Sequence, residues 1–315
     1  MFNTHGDDFR PHQPMRPGHE FDVIRMLMAR WGDLAVDIGD DAAVLPAIPG
    51  GQRVVSTDAC VEDVHFRRAW ITPFEVGMRA AGAALSDLAA MGASAECVLV
   101  ALVVPPSWQQ ELAAVADGIG AQVRRAGARI VGGNLSKGQT FSITLTVIGR
   151  ADRAVSRAGA RVGDLVVVTG QLGGPGGAVA AWSAGEEPGP WARARFAGPL
   201  PRLAEGRLLA DGGATAMLDL SDGLAADARH LAAASGVWLD LDPARIPVGP
   251  SVAPVSALES GEEYELLATI PPEALEALQR RWEAEVPLTV IGRVVAIPPN
   301  NAAEHGTVRG HDHFA

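Results

Sequence analysis

TPFEVGMRAAGAALSDLAAMG (72–92), followed by the apolar run at 97–106 and by FSITLTVIG (141–149), decides the fold class. Thr72-Pro73-Phe74-Glu75 has the form of a capping box with proline at the first helical position. A helix is therefore expected from there to Met91, with Gly92 as its stop. The run at 97–106 is far short of the roughly 20 residues a membrane span needs and reads as a buried strand. Phe141, Ile143, Leu145 and Val147 alternate with Ser142, Thr144 and Thr146, the period of a half-buried, antiparallel strand.

Further helices are expected from Ser107-Trp108-Gln109-Gln110 to about Gly127, over 221–235 with Gly236 as the stop, and over 272–285, which carries charge on most faces and should lie outside. Strands are expected at 53–57, 98–104, 165–169 and 264–270. Helices and strands mix without strict alternation, so the class is α+β rather than a doubly wound sheet.

The 315 residues suggest two domains. The polar segment 150–163 places a boundary between a domain at 21–150 and another at 151–315, with residues 1–20 as a mobile arm. That arm has Pro, His and Arg but no apolar centre, so it does not read as a signal peptide. With 48% hydrophobic and 20% charged residues, the chain can bury a core. Its net charge is −11, 37 acids against 26 bases, which disfavours nucleic acid and fits cations that carry a phosphorylated substrate. Cys60 and Cys97 form neither a CxxC pair nor a zinc spacing, so a reducing cytoplasm is expected.

Aspartate recurs beside Gly, Ser or Thr in apolar surroundings, at Asp40-Asp41, Ser56-Thr57-Asp58, Ser86-Asp87 and Asp219-Leu220-Ser221-Asp222. A single such Asp is ordinarily a solvated cap. Asp87 is less easily explained, because its helix is otherwise small and apolar and an unpaired buried carboxylate is costly. Mg²⁺ takes oxygen ligands from a few carboxylates plus substrate phosphates, so these Asp residues could gather ions around a polyphosphate. The glycine-rich stretches 132–138 and 170–177 match neither a Walker A loop nor GxGxxG, and read as tight turns or as backbone cradles for phosphate. His65 stands alone beside apolar residues. No GxSxG and no Cys/His pairing supports a hydrolase triad.

In order along the chain stand GDDAAVL (39–45), STD (56–58), VHF (64–66), LSDLAAMGA (85–93), GGN (132–134), SRAGARVGD (156–164), LDLSDGL (218–224), GEEYEL (261–266) and GHDHF (310–314). This set resembles bacterial thiamine-monophosphate kinases, of the aminoimidazole-ribonucleotide synthetase-like superfamily. The resemblance implies two α/β-type domains, the N-terminal sheet pairing across a homodimer. It also implies direct, Mg²⁺-assisted transfer of phosphoryl from ATP to thiamine monophosphate, with several ions and, as a further cofactor to test for, a monovalent cation. By motif, the implied metal ligands are Asp41, Ser56, Thr57, Asp58, Asp87, Asn134, Asp219 and Asp222. Gly133, Asn134, Arg157 and Ser221 would contact ATP, and His65, Glu262 and Val308 the substrate.

Four positions depart from the family pattern. Asn134 stands where GGD is common, Ser260 and Glu263 stand where GGEDYEL has its first Gly and its Asp, and Val308 replaces a stacking aromatic. Two other readings stay open. One is another ATP-using enzyme of the superfamily, such as a purine-type synthetase. The other is a catalytically weak module that binds nucleotide or thiamine diphosphate.

Overall fold

The computed structural model describes residues 22, 24–25, 28–29, 38–48 and 51–298. Val308, the GHDHF stretch and the arm at 1–20 lie outside them. The described elements run β1 Ala43–Ile48, β2 Gly51–Val61, α1 Pro73–Ala90, β3 Ser94–Val104, α2 Leu112–Arg125, β4 Arg129–Lys137 and β5 Ser142–Ala151. They continue with β6 Leu165–Thr169, α3 Gly174–Ser183, α4 Pro190–Ala197, α5 Leu203–Asp211, β7 Ala216–Asp219, α6 Leu224–Ser235, β8 Trp238–Leu241, α7 Pro254–Glu259, β9 Leu266–Ile270, α8 Pro272–Arg281 and β10 Leu288–Val295.

Two five-stranded sheets form, ordered β1-β2-β5-β3-β4 and β7-β9-β6-β10-β8. Every pairing is antiparallel except β3 with β4, which α2 connects as a crossover. The α+β expectation holds.

The helix α1 decides the architecture. Its capping box is present, with Thr72 accepting from the Glu75 N–H and Glu75 accepting from the Thr72 N–H at 2.8 Å. It packs on β2 and β5 on one side and on α5 and β7 on the other. A helix covered on both sides must be apolar and thin all round, which is why Ala80, Ala81, Gly82, Ala83, Ala84, Ala89 and Ala90 line it. A charged residue on such a helix is held between the two sheets. Its core includes Val54, Leu85, Leu88, Leu145 and Met217, whereas a second core, with Leu218, Leu231 and Val294, joins α6 to the second sheet.

Several expectations are corrected. Ser107 caps nothing; Pro106–Glu111 is a 3₁₀ turn that buries Trp108, whose Nε1–H donates to Glu62 at 2.9 Å, and α2 starts at Leu112. The 221–235 helix begins at Leu224, because Gly223, with φ 109°, is its N-cap, and it does end on left-handed Gly236. The 272–285 helix ends at Arg281. β3 is buried along one face only: Val98 and Val104 are covered, while Leu99 and Val103 are 37% and 36% exposed. The glycine-rich stretch at 132–138 is not a tight turn, since residues 132–137 belong to the edge strand β4.

Candidate functional site

Three chain segments deliver carboxylates to one place. Asp41 precedes β1, Asp87 is in the last turn of α1, and Asp219 ends β7. One oxygen from each lies within 4.8 Å of the others. Ser56 on β2 bridges them, its Oγ 2.5 Å from Asp87 Oδ2 and 3.2 Å from the Asp41 carbonyl oxygen. Asp58, two residues on and on the same strand face, borders the same cleft and accepts from the Ala59 N–H at 2.7 Å.

The electrostatics are unfavourable without a cation. Burial, then the Asp41 charge, pushes Asp219 up to about 7. Burial, then Asp219 and Asp58, holds Asp87 well above the usual carboxylate range. Such carboxylates cannot all ionise in a low dielectric without a counter-charge. Arg157 answers part of the need, with Nη2 2.6 Å from Asp41 Oδ1 and Nε 3.3 Å from Asp40 Oδ1. Among the described residues, Asp41 Oδ2 is buried and accepts no hydrogen bond. An orphaned oxygen beside two further carboxylates and a hydroxyl is a donor set that fits a hard divalent cation.

A second group gathers Asp222, Asp227 and His230 within 4.8 Å. Asp227 Oδ2 accepts from the N–H groups of Asp222 and Gly223 at 3.0 and 3.1 Å, so it shapes the loop that presents Ser221 and Asp222. That loop is tied to the next motif. The Ser221 carbonyl accepts from the Glu262 N–H at 2.6 Å, and the Leu220 carbonyl from the Tyr264 N–H at 2.9 Å. A Cβ on Gly261 would come within 2.8 Å of the Ser221 oxygen, so the close approach requires glycine there.

The remaining side of the cleft holds His65 and Glu262. His65 Nδ1 accepts from the Val61 N–H at 3.1 Å, which directs Nε2 the other way. Arg79 of α1, 1% exposed, ties this side together: Nε donates to the His65 carbonyl at 3.1 Å, Nη1 to the Phe196 carbonyl at 2.7 Å, and Nη2 pairs with the Glu262 carboxylate. Glu262 and Tyr264 are held at φ 60° and 51°, a conformation non-glycine residues tolerate only when their surroundings impose it. The whole cleft measures about 860 Å³.

Asp41, Ser56, Asp58, Asp87, Arg157, Asp219, Ser221, Asp222, His65 and Glu262 thus belong to this one cleft or its walls. Thr57 borders it, but its hydroxyl is engaged with the Leu145 carbonyl and Thr146 on the other sheet face. Gly133 and Asn134 are not brought in. The register Asp58–Leu145–Val100–Gly133 crosses three strand spacings, roughly 14 Å at about 4.8 Å each. Asn134 donates to Ser136 Oγ at 3.0 Å on the sheet face away from α1.

Sequence reasoning missed Arg79 and Asp227, and it gave Asp40, which pairs with Arg157, no role apart from Asp41. Arg79 could have been found by the argument applied to Asp87, because it too is a charge among mostly small and apolar residues of the same helix.

Glu263, next to Glu262, turns inward. Its Oε1 accepts from the Gly173 N–H and from Ser260 Oγ, both at 2.5 Å, and burial pushes its pKa up to about 7. The folded state therefore holds this proton more tightly than the unfolded chain, and stability contributed here falls as pH rises from about 4.5 to about 7. Glu263→Gln keeps both accepted bonds and removes that loss. Urea unfolding should show the variant more stable than the unmodified chain by about 1–3 kcal/mol at pH 8, and nearly equal at pH 4.5. A constant difference across that range would reject the assignment.

The fold and site define a class. Residues 39–151 match the model of the AIR synthase related protein N-terminal domain, and residues 161–299 that of the C-terminal domain. Thiamine-monophosphate kinase of Halobacterium salinarum is 39% identical over 273 residues, 84% of this chain and 90% of that protein. The Mycobacterium tuberculosis enzyme of the same name is 38% identical over 266 residues, covering 79% and 80%. A solved structure of AaThiL complexed with AMPPCP and TMP superposes with a TM-score of 0.80 at 30% identity, covering 90% of this chain and 93% of that one. The chain belongs to the thiamine-monophosphate kinase family.

Proposed function

We propose that this cleft transfers the terminal phosphoryl group of ATP to thiamine monophosphate, giving ADP and thiamine diphosphate. The observation that carries this reading is the convergence of Asp41, Asp87 and Asp219 beside Arg157 in the cleft that also holds His65 and Glu262. The acceptor oxygen belongs to a phosphate already ionised at neutral pH, so no strong general base is needed. The obstacle is repulsion between two anionic phosphates. Mg²⁺, held by Asp41, Asp87 and Asp219 with Ser56, Asp58 and Asp222 at hand, would supply the screening charge. Arg157 adds a fixed cation for the nucleotide, and the joined 220–223 and 261–264 loops hold the acceptor side in register. Orientation of this kind contributes about 7–11 kcal/mol when the reacting groups are aligned. The requirement for a monovalent cation is a separate proposal, tested by exchanging K⁺ for Na⁺ in the same assay.

The protein also pairs with a second copy through the first sheet. Leu99, Val103, Ile130, Val131 and Leu135 are exposed, the last at 66%, and every residue of β4 is exposed. This is an apolar sheet edge and face of the kind partners cover. Gly133 and Asn134 lie on this pairing edge, so their proposed contacts with nucleotide and metal would be made where the two copies meet. Two free cysteines support a reducing cytoplasm, and no described helix is long and apolar enough to cross a membrane.

Incubation with ATP, Mg²⁺ and thiamine monophosphate should yield ADP and thiamine diphosphate in equal amounts. Nucleotide binding without product would leave only a binding module. Light scattering at micromolar concentration should give twice the chain mass, and Leu135→Glu should halve it; a monomer from the outset ends the pairing proposal.

A further inference from the structure

The cleft has two chemically different regions. The Asp41–Asp87–Asp219 region suits cations and phosphate, whereas Trp70, Phe196, Val179 and Pro175 make another part of its lining aromatic and apolar. Trp70 stacks on Trp182 with centroids 5.2 Å apart and planes 9° from parallel, and Phe196 meets both edge-on at 6.0 and 5.2 Å. Trp182 takes one face of Trp70 and backs it rigidly. The Arg67 guanidinium also lies over the Trp70 ring, its Cζ 4.8 Å from the ring centroid.

Two aromatic faces here therefore hold a cation, and they differ. Arg79 lies 3.8 Å over Phe196, but it is buried and fastened to the His65 carbonyl, the Phe196 carbonyl and Glu262. Arg67 also borders the cleft, but its side chain is exposed. The cation on Trp70 is the exchangeable one. Indole is the most favourable aromatic face for a cation, and more so when water is excluded.

We propose that the outer face of Trp70 receives the positively charged thiazolium ring of the acceptor, in the position the Arg67 guanidinium occupies here. Arg67 yields this place on binding. The proposal rests on the reading of the acceptor as thiamine monophosphate. It assigns the ring end to Trp70 and the phosphate end to the acidic cluster, and it makes Trp70 a determinant of specificity for a charged ring.

Calorimetric titration of the full chain with thiamine monophosphate, and with its uncharged isostere in which the ring nitrogen is carbon, tests this directly. The unmodified chain should bind the charged ligand about tenfold more tightly. Trp70→Leu should bring that ratio within about twofold while binding of a non-hydrolysable ATP analogue stays unchanged. Trp70→Phe, which keeps a π face, should retain about threefold preference and guards against loss of fold in the leucine variant. Arg67→Ala should bind the acceptor two- to threefold more tightly, because a competing cation is gone. A tenfold preference that survives in Trp70→Leu, or weaker acceptor binding in Arg67→Ala, overturns the proposal. Turnover by a chain that shows no ring preference overturns it and leaves the kinase reading intact. Ring preference without turnover supports it and overturns the kinase reading alone.

Discussion

Asp87→Asn is expected to lower kcat at saturating Mg²⁺ by about a thousandfold or more, equivalent to about 4 kcal/mol of transition-state stabilisation, while making the metal-free protein more stable. The two effects have one cause. Asp87 stands within 4.8 Å of Asp41 and Asp219, and its charge is opposed by burial and by both neighbouring acids. In the absence of a cation that charge is a liability, and an amide of the same shape relieves it. Asn can still accept from Ser56, so the local hydrogen bonding survives. With a cation present the same charge holds the ion, and its removal weakens the site. Calorimetry should therefore show a higher Tm for the metal-free variant and a smaller rise in Tm on adding Mg²⁺ than the unmodified chain gives. A variant with near-normal turnover would remove Asp87 from the mechanism. A variant with a lowered metal-free Tm would mean that Asp87 is structural.

Arg202→Met should cost about 3–5 kcal/mol of stability, because it breaks a buried ion pair on one side only. Glu265 is 1% exposed. It accepts from Arg202 Nε and Nη2 at 2.7 and 2.5 Å, and from Thr169 Oγ1 at 2.6 Å, with Arg195 Nη2 at 2.8 Å. The variant leaves this carboxylate to one arginine and one hydroxyl inside the protein. The consequence reaches the cleft, since the Glu265 carbonyl accepts from the Leu220 N–H at the start of the Ser221–Asp222 loop. Urea unfolding should show the loss, and the double variant Arg202→Met with Glu265→Gln should recover a large part of it. A single variant within 1 kcal/mol of the unmodified chain would show that Arg195 alone suffices.

GEEYEL shows why a motif read as one unit separates in space. Glu262 faces the cleft and meets Arg79, Glu263 turns to Ser260 and Gly173, and Glu265 enters the Arg195–Arg202 pair. Three acids in four residues thus have three environments. A motif match assigns a role to Glu262 but carries no information about the other two, because their partners include Arg195 of α4, the residue before α5 and the turn after β6.

The local elements with strong signals were legible in the chain: the capping box of α1, the alternation in β5, the left-handed stop at Gly236 and the α+β class. Each depends on neighbours within a few residues, where backbone geometry and side-chain chemistry act directly. β4 was not legible, since RIVGGNLSK has no strand period and extends only because β3 lies alongside it. The motif order carried the family. Which acids meet was decided by tertiary structure: α1, wedged between two sheets, brings Asp87 to Asp41 and, across more than a hundred residues of chain, to Asp219, and the width of the first sheet keeps Asn134 away from them. Electrostatic coupling falls off over a few ångströms in space, and spacing along a chain does not encode that distance.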